Sequence, residues 1–262
     1  MSLLNSGESL DTMFIFDLEA MFNSTRFSAL NGEIKDSRDY AVLLLMIDFY
    51  FRYTITSILK GNRTRELFFC GAAVEKKILY FEKKGKDNTG ACLDIVQIAL
   101  GEGMFRHIVI ATTTGSNGLL FSGALKGQGV NVVVVTHSAG FKGPNTFEIS
   151  DESLRQMRSN GASVYTGTIL THSIETALNA QFSGIYPAMI IAQSLRRFGE
   201  GAKVCCEIVM MAADAGLIPE GEEVMAVAGT GYGADTVMLL KSAVSKRFLD
   251  LKVLEILAKP RG

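Results

Sequence analysis

From Lys77 onward, short apolar runs alternate with longer segments whose hydrophobic positions recur at helical spacing. Ile78-Leu79-Tyr80-Phe81, Ile108-Val109-Ile110-Ala111, Val132-Val133-Val134-Val135 and Ser163-Val164-Tyr165 are the short runs, each bounded by turn residues. Such runs mark buried strands, and an unbroken β-branched run is expected of a central parallel strand covered on both faces. Between them, Thr89 to Leu100 carries Leu93, Val96 and Ile98 on a helix. Leu119, Leu120, Ser122, Gly123, Ala124 and Leu125 fit a second helix, running to about Gln128. Asp151 to Asn160 is a third, with Ser150 as its N-cap and Gly161 ending it. This order predicts an α/β fold with a doubly wound, mostly parallel sheet and right-handed connections. Ligands on such sheets bind beyond the carboxyl ends of the strands. The loops at 82–89, 112–117, 136–149 and 167–173 therefore share the functional edge.

The later pattern is less regular. His172 to Phe182 and Pro187 to Phe198 read as helices, the second with Pro in its first turn. Gly201 to Ala215 fits helix or strand, and its length and its Met and Ala content favour helix. Glu222 to Ala228 and Asp235 to Lys241 are strand-like runs around a glycine-rich loop, and Asp250 to Leu257 forms one more strand.

Residues 1–64 have a different texture and are expected to form an N-terminal helical appendage to an α/β domain over 65–262. Met13-Phe14-Ile15-Phe16 and Met21-Phe22 are interleaved with Asp17 and Glu19, as in a short amphipathic helix. Tyr40 to Leu59 is almost as long and apolar as the roughly 20 residues of a membrane span. Asp48 and Arg52 lie inside it, one helical turn apart, which suits a helix in water and is costly in lipid. The expectation is a helix buried against the body or against another subunit, with no membrane association and a homo-oligomer.

Composition narrows the function classes. The formal net charge is −1, so bulk electrostatics favour neither nucleic acid nor an anionic membrane. The four cysteines form no C-x-x-C pair, and adjacent Cys205-Cys206 is not zinc spacing. Buried free thiols and the absence of a basic, apolar leader point to the cytoplasm.

Chemistry concentrates in HIVIATTTGSNG, His107 to Gly118. A strand, a loop of small hydroxyl residues and a helix aim backbone N–H groups and a helix dipole at an anion. This predicts a phosphate-binding loop over Thr112, Thr113, Thr114, Gly115, Ser116 and Asn117; an ordinary capped βα turn would carry similar residues. Gly229-Thr230-Gly231-Tyr232-Gly233-Ala234 matches G-x-G-x-x-A after a strand, the dinucleotide fingerprint. That fingerprint needs a helix to follow, whereas Thr236 to Leu240 reads as strand. A nicotinamide or flavin dinucleotide oxidoreductase is the competing enzyme class, and a regulatory or assembly module is the non-enzymatic one. His137, at a strand's carboxyl end, is the candidate general base. His172 and Glu175 make an H-x-x-E pair with no third metal ligand, and Glu207 and Asp214 lie seven apart on one helix face.

These residues together carry a family likeness. HIVIATTTGSNG, a helix and then VNVVVVTH resemble the carboxyl-terminal α/β domain of pyruvate kinase, as does the late VMAVAGTGYGADTVMLL. Stand-alone proteins built on that domain resemble the chain more closely, through KKILYFEKKGKDNT, VVVVTHSAGF and KVCCEIVMMAADAGLIP. The likeness covers about residues 76–262. It implies the doubly wound fold, a phosphorylated small-molecule ligand, FMN as the ligand associated with the stand-alone group, and no pyruvate kinase activity. The kinase loop usually carries an arginine, which Gly115-Ser116-Asn117 lacks. The implied cofactor-site residues are the 112–117 loop, then Thr136, His137, Gly140 and Phe141, then Gly229, Thr230, Gly231 and Asp235, with Asn88 and Thr89 from the first motif.

Overall fold

Successive residues of a strand face opposite sides of a sheet, and here both sides are apolar. The computed structural model describes residues 75–262. Its strands are β1 (Leu79–Phe81), β2 (His107–Ala111), β3 (Asn131–Thr136), β4 (Ser163–Thr166), β5 (Glu223–Ala228), β6 (Thr236–Lys241) and β7 (Lys252–Pro260). The helices are α1 (Thr89–Gly101), α2 (Ser116–Ala124), α3 (Asp151–Ser159), α4 (Ile174–Phe182), α5 (Pro187–Leu195) and α6 (Glu200–Asp214). Ile108, Ile110, Val132, Val134, Met225 and Val227 pack with Cys92, Val96, Phe121 and Met157 of α1, α2 and α3. Their neighbours Val109, Val133, Val135, Val224, Ala226 and Ala228 pack on the other face with α6.

The seven strands lie in the order β1-β7-β6-β5-β2-β3-β4. All pairs are parallel except those made by β6, which runs antiparallel to β5 and β7. The chain leaves β2 outward to β3 and β4, then returns to β5 on the other side of β2. That reversal between β2 and β5 is a switch point, where loops diverge and open a crevice.

The expected elements are present from β1 onward, with adjusted ends. Ser150 caps α3 by accepting from Ser153 N–H at 3.1 Å. Helix α2 ends at Ala124 rather than near Gln128. Gly201 to Ala215 resolves to helix, and every residue from Gly201 to Ala213 except Val204 is buried, which removes the amphipathic stripe that would have marked it. A glycine at 201 lets α6 approach β6, because a Cβ there would strike the Thr236 side chain.

One topological feature departs from the sequence pattern. β1 is an edge strand beside β7, so β7, β6 and β5 separate it from β2. Loop 82–89 shares the carboxyl edge but meets the 229–235 loop, not the 112–117 loop. The appendage over 1–64, including Tyr40 to Leu59, lies outside the described residues. Among those residues no helix is long and apolar enough to cross a membrane.

Candidate functional site

A cleft of about 450 Å³ opens at the switch point. One wall is the loop after β2 with the start of α2: Thr112, Thr113, Thr114, Ser116 and Asn117. The loops after β3 and β4 give Thr136, His137, Phe141, Ile169 and His172. Gly229 to Gly233 close the β5 side. The remaining wall is the first half of α6 with the turn before it: Arg196, Glu200, Lys203, Val204, Glu207, Ile208 and Met211.

The α2 wall is organised by backbone geometry. Gly115 is the N-cap residue, with φ 103°, and no side chain caps the helix. A Cβ at Gly115 would lie 3.0 Å from that of Ser153, so the position is restricted by space as well as by φ. Thr112 Oγ1 accepts from Gly115 N–H at 3.1 Å, and Asn117 Nδ2 donates to the Ala111 carbonyl at 3.2 Å. These bonds fasten the loop to β2. The N–H groups of Ser116, Asn117 and Gly118 precede the first intrahelical bond, from Leu119 N–H to the Gly115 carbonyl. They and the hydroxyls of Thr113, Thr114 and Ser116 have no partner among the described residues.

At the β3 end, His137 Nδ1 lies 2.6 Å from Glu148 Oε2, and Lys142 Nζ lies 3.0 Å from Glu148 Oε1. Burial raises the Glu148 carboxyl, but hydrogen bonds from His137 and Lys142 more than offset it and hold it below the ordinary value. Carboxylate oxygens only accept, so Nδ1 carries the hydrogen and Nε2 is the free ring nitrogen. Phe141 stands beside His137, with ring centroids 4.3 Å apart, and beside His172 at 5.4 Å. Thr136 lines the cleft, but its hydroxyl is bonded to that of Thr166 at 2.6 Å.

Five of the expected residues do not line the cleft. Gly115 works from behind, as N-cap. Gly140 N–H bonds the Thr146 carbonyl and shapes its own loop. Asn88 Nδ2 donates to the carbonyls of Lys83 and Gly85. Thr89 Oγ1 accepts from Ala234 N–H at 2.9 Å. Buried Asp235 accepts from the N–H groups of Gly85 at 2.8 Å and Thr230 at 3.1 Å. Asn88, Thr89 and Asp235 brace the 82–89 and 229–235 loops together, a consequence of β1 lying beyond β5. Gly233 has φ 79°, and a Cβ there would strike Lys86 Cα, so this packing also requires glycine.

Two pairings from the sequence dissolve. Glu175 caps α5 by accepting from Ala188 N–H at 2.7 Å, while His172 stays in the cleft. Asp214, the last residue of α6, accepts from Ser245 N–H at 2.8 Å. Glu207 pairs instead with Lys203, Nζ to Oε2 2.6 Å, both side chains 6% exposed. Lys203, Arg196 and Glu200 were not predicted. The spacing of Lys203 and Glu207, four apart, was the available signal. After the glycine loop comes β6, paired antiparallel with β5 from Ala228↔Thr236 to Glu223↔Lys241. The helix that a dinucleotide fingerprint requires is therefore replaced by a strand.

A family model described as pyruvate kinase, alpha/beta domain, matches residues 93–240, from within α1 to the end of β6. The chain belongs to the pyruvate kinase alpha/beta domain family. Among solved structures it is similar to a pyruvate kinase from Cryptosporidium parvum, at 14% identity and TM-score 0.32, over 65% of this chain and 24% of the kinase. An O-ureido-L-serine synthase matches at 16% identity and TM-score 0.25, over 54% of this chain and 51% of the synthase. A hydrogen sulfide-producing enzyme from Fusobacterium nucleatum matches at 18% identity and TM-score 0.25, over 50% of this chain and 38% of the enzyme. The chain thus spans about a quarter of that kinase and about half of that synthase. In this member of the family, the domain's carboxyl-edge cleft is the candidate functional site.

Proposed function

We propose that the cleft binds a phosphorylated small molecule, and that FMN is its ligand. The observation that carries this reading is the uncapped start of α2, where the backbone N–H groups of Ser116 and Asn117 and the Ser116 hydroxyl border the cleft without a partner among the described residues. An N-terminal helix turn with free N–H groups favours a phosphate both by hydrogen bonding and by the helix dipole. The residues also suit the rest of a flavin. Phe141 and Tyr232 both line the cleft and are 39% and 59% exposed, leaving aromatic faces for a planar ring. The cleft volume falls within the roughly 300–1,000 Å³ usual for small-molecule sites. In this reading FMN would be held by the 112–117 loop at its phosphate and by the 137–141 and 229–232 loops at its ring. When bound it would supply electron-transfer chemistry that the protein side chains lack.

The test is titration calorimetry of the purified protein with FMN, repeated in excess inorganic phosphate and with Ser116→Asp. FMN binds, phosphate competes, and Ser116→Asp weakens binding by roughly tenfold or more, because a carboxylate faces the anion at a charge-assisted site. Purified protein with flavin absorption bands would add support. Absence of FMN binding overturns the flavin assignment, and binding indifferent to Ser116→Asp overturns the phosphate assignment.

A further inference from the structure

The phosphate reading makes no use of Lys203, although this is a buried cationic side chain in the cleft wall. Lys203 is 5% exposed and lies in the first turn of α6. Burial disfavours a lysine, and the first turn is the end of a helix where the dipole opposes a cation. Its neighbours Ala202, Cys205 and Cys206 are buried apolar residues, so the fold alone would be served by another of the same kind. The lysine is retained by a fixed counter-charge. Glu207 Oε2 is 2.6 Å from Nζ, while Oε1 accepts from Thr171 N–H at 2.8 Å and from the Thr171 hydroxyl at 2.5 Å. Glu207 is thus held on both oxygens, and Lys203 Nζ has one of its hydrogens engaged among the described residues. Local rules broken in this way are expected where a side chain serves function.

Position adds a second argument. Gly201, two residues before Lys203, sits against Thr236 at the cleft-side start of β6. The first turn of α6 therefore reaches the same sheet edge as the first turn of α2, from the opposite face. A ligand anchored by phosphate on α2 would extend across the switch point toward Lys203.

We propose that Lys203 is a carbonyl-capturing amine, which forms an imine with the aldehyde or ketone group of a phosphorylated ligand. The proposal rests on the phosphate half of the reading above and not on its flavin half. The Lys203 ammonium passes one proton to the Glu207 carboxylate, and the neutral amine adds to the carbonyl carbon. A proton moves from nitrogen to the former carbonyl oxygen, giving a carbinolamine. Glu207 then returns its proton to that hydroxyl, the C–O bond breaks, and water leaves. The nitrogen lone pair forms the C=N bond of a protonated imine. The net change is ammonium plus carbonyl to protonated imine plus water, with no oxidant or reductant.

The test uses the full-length protein and one equivalent of pyridoxal 5′-phosphate, which joins a phosphate, a planar ring and an aldehyde in one molecule. Borohydride reduction fixes any imine, and peptide mapping locates it. Labelling maps to Lys203, in preference to the exposed lysines, and is lost in Lys203→Arg, which keeps the charge opposite Glu207 and is checked for folding by its Tm. Label only on other lysines, or label unchanged in Lys203→Arg, overturns the proposal. Inorganic phosphate and Ser116→Asp each slow labelling of Lys203 by roughly tenfold or more. Labelling at Lys203 that ignores both keeps the amine and overturns the phosphate anchor. Phosphate-competed FMN binding without label at Lys203 keeps the anchor and overturns the amine.

Discussion

The Asp235 carboxylate accepts a hydrogen bond from the backbone N–H of Gly85, 150 residues earlier in the chain, at 2.8 Å. The same oxygen accepts from Thr230 N–H at 3.1 Å, and the other from the Thr236 hydroxyl at 2.8 Å. One fully buried carboxylate therefore fixes the loop after β1, the loop after β5 and the start of β6. Asp235→Ala leaves the buried Thr236 hydroxyl and the half-buried N–H groups of Gly85 and Thr230 without their acceptor, a cost of roughly 2–3 kcal/mol. For a domain of this size that lowers Tm by roughly 4–12 °C. The 229–233 wall should loosen with it, so ligand affinity falls although Asp235 touches no ligand. Calorimetric melting and FMN titration of the variant measure the two effects separately.

The division between what could and could not be read from the sequence follows this clasp. β2 and β3 were legible because Ile108 to Ile110 and Val132 to Val135 are apolar on both faces, as expected of a strand covered on both sides of the sheet. The α2 loop was legible from its small hydroxyl residues. The family resemblance puts Asn88, Thr89 and Asp235 beside the ligand, whereas the structure sets them between the 82–89 and 229–235 loops, because strand adjacency is a long-range property. Nothing local in Leu79–Phe81 says that β7 rather than β2 will be its neighbour. Lys203 was missed for a different reason. Helix α6 is buried on nearly all sides, so no polar face marked where a functional side chain would stand out. By spacing Glu207 shares a helix face with Asp214, seven residues on, but its partner is Lys203, four residues back.

The pair His137–Glu148 gives a signed pH dependence. The Glu148 carboxyl is raised by burial but lowered further by the hydrogen bonds from His137 and Lys142, so its folded value lies below the ordinary 4.5. A carboxyl depressed in the folded state stabilises the protein above its unfolded value, and that contribution is lost as pH falls through the folded value. The window therefore lies below pH 4.5. Urea melts of the native protein and Glu148→Gln should differ most at neutral pH and converge as pH falls through this window. A constant gap across the range would show that the His137 and Lys142 bonds do not favour the ionised carboxyl.

The thiols of the described domain should be inert while it is folded. Burial pushes Cys92 to about 12, with the Asp235 charge adding to it, and pushes Cys206 to about 11. Cys205 is raised well above the ordinary value, again by burial and then by the neighbouring thiols and Asp235. The thiolate is the reactive form, so at pH 8 these three react only through unfolding. Titration with an aromatic disulfide should leave Cys92, Cys205 and Cys206 unmodified in native protein and expose them in denaturant. Peptide mapping distinguishes them from Cys70. Rapid native modification of Cys205 would mean that α6 opens locally.

The buried Lys203–Glu207 pair should behave asymmetrically in a mutant cycle. Glu207→Gln keeps an oxygen for Thr171 but removes the charge opposite Lys203, leaving a buried cation without compensation. Breaking such a pair on one side costs roughly 3–5 kcal/mol. Adding Lys203→Met removes the stranded ammonium and replaces it with an apolar side chain of similar length, suited to the neighbouring Ala202 and Cys206. The double variant should regain most of that loss and melt close to the native protein, or above it. A coupling of this size marks side chains that share a contact or a hydrogen-bond network, since distant substitutions add within a few tenths of a kcal/mol. Stability and function then separate: the double variant is folded and stable, and its cleft has lost the one lysine that lines it among the described residues. If Glu207→Gln proves as stable as the native protein, Lys203 has another counter-charge or reaches water, and its place in the cleft wall must be redrawn.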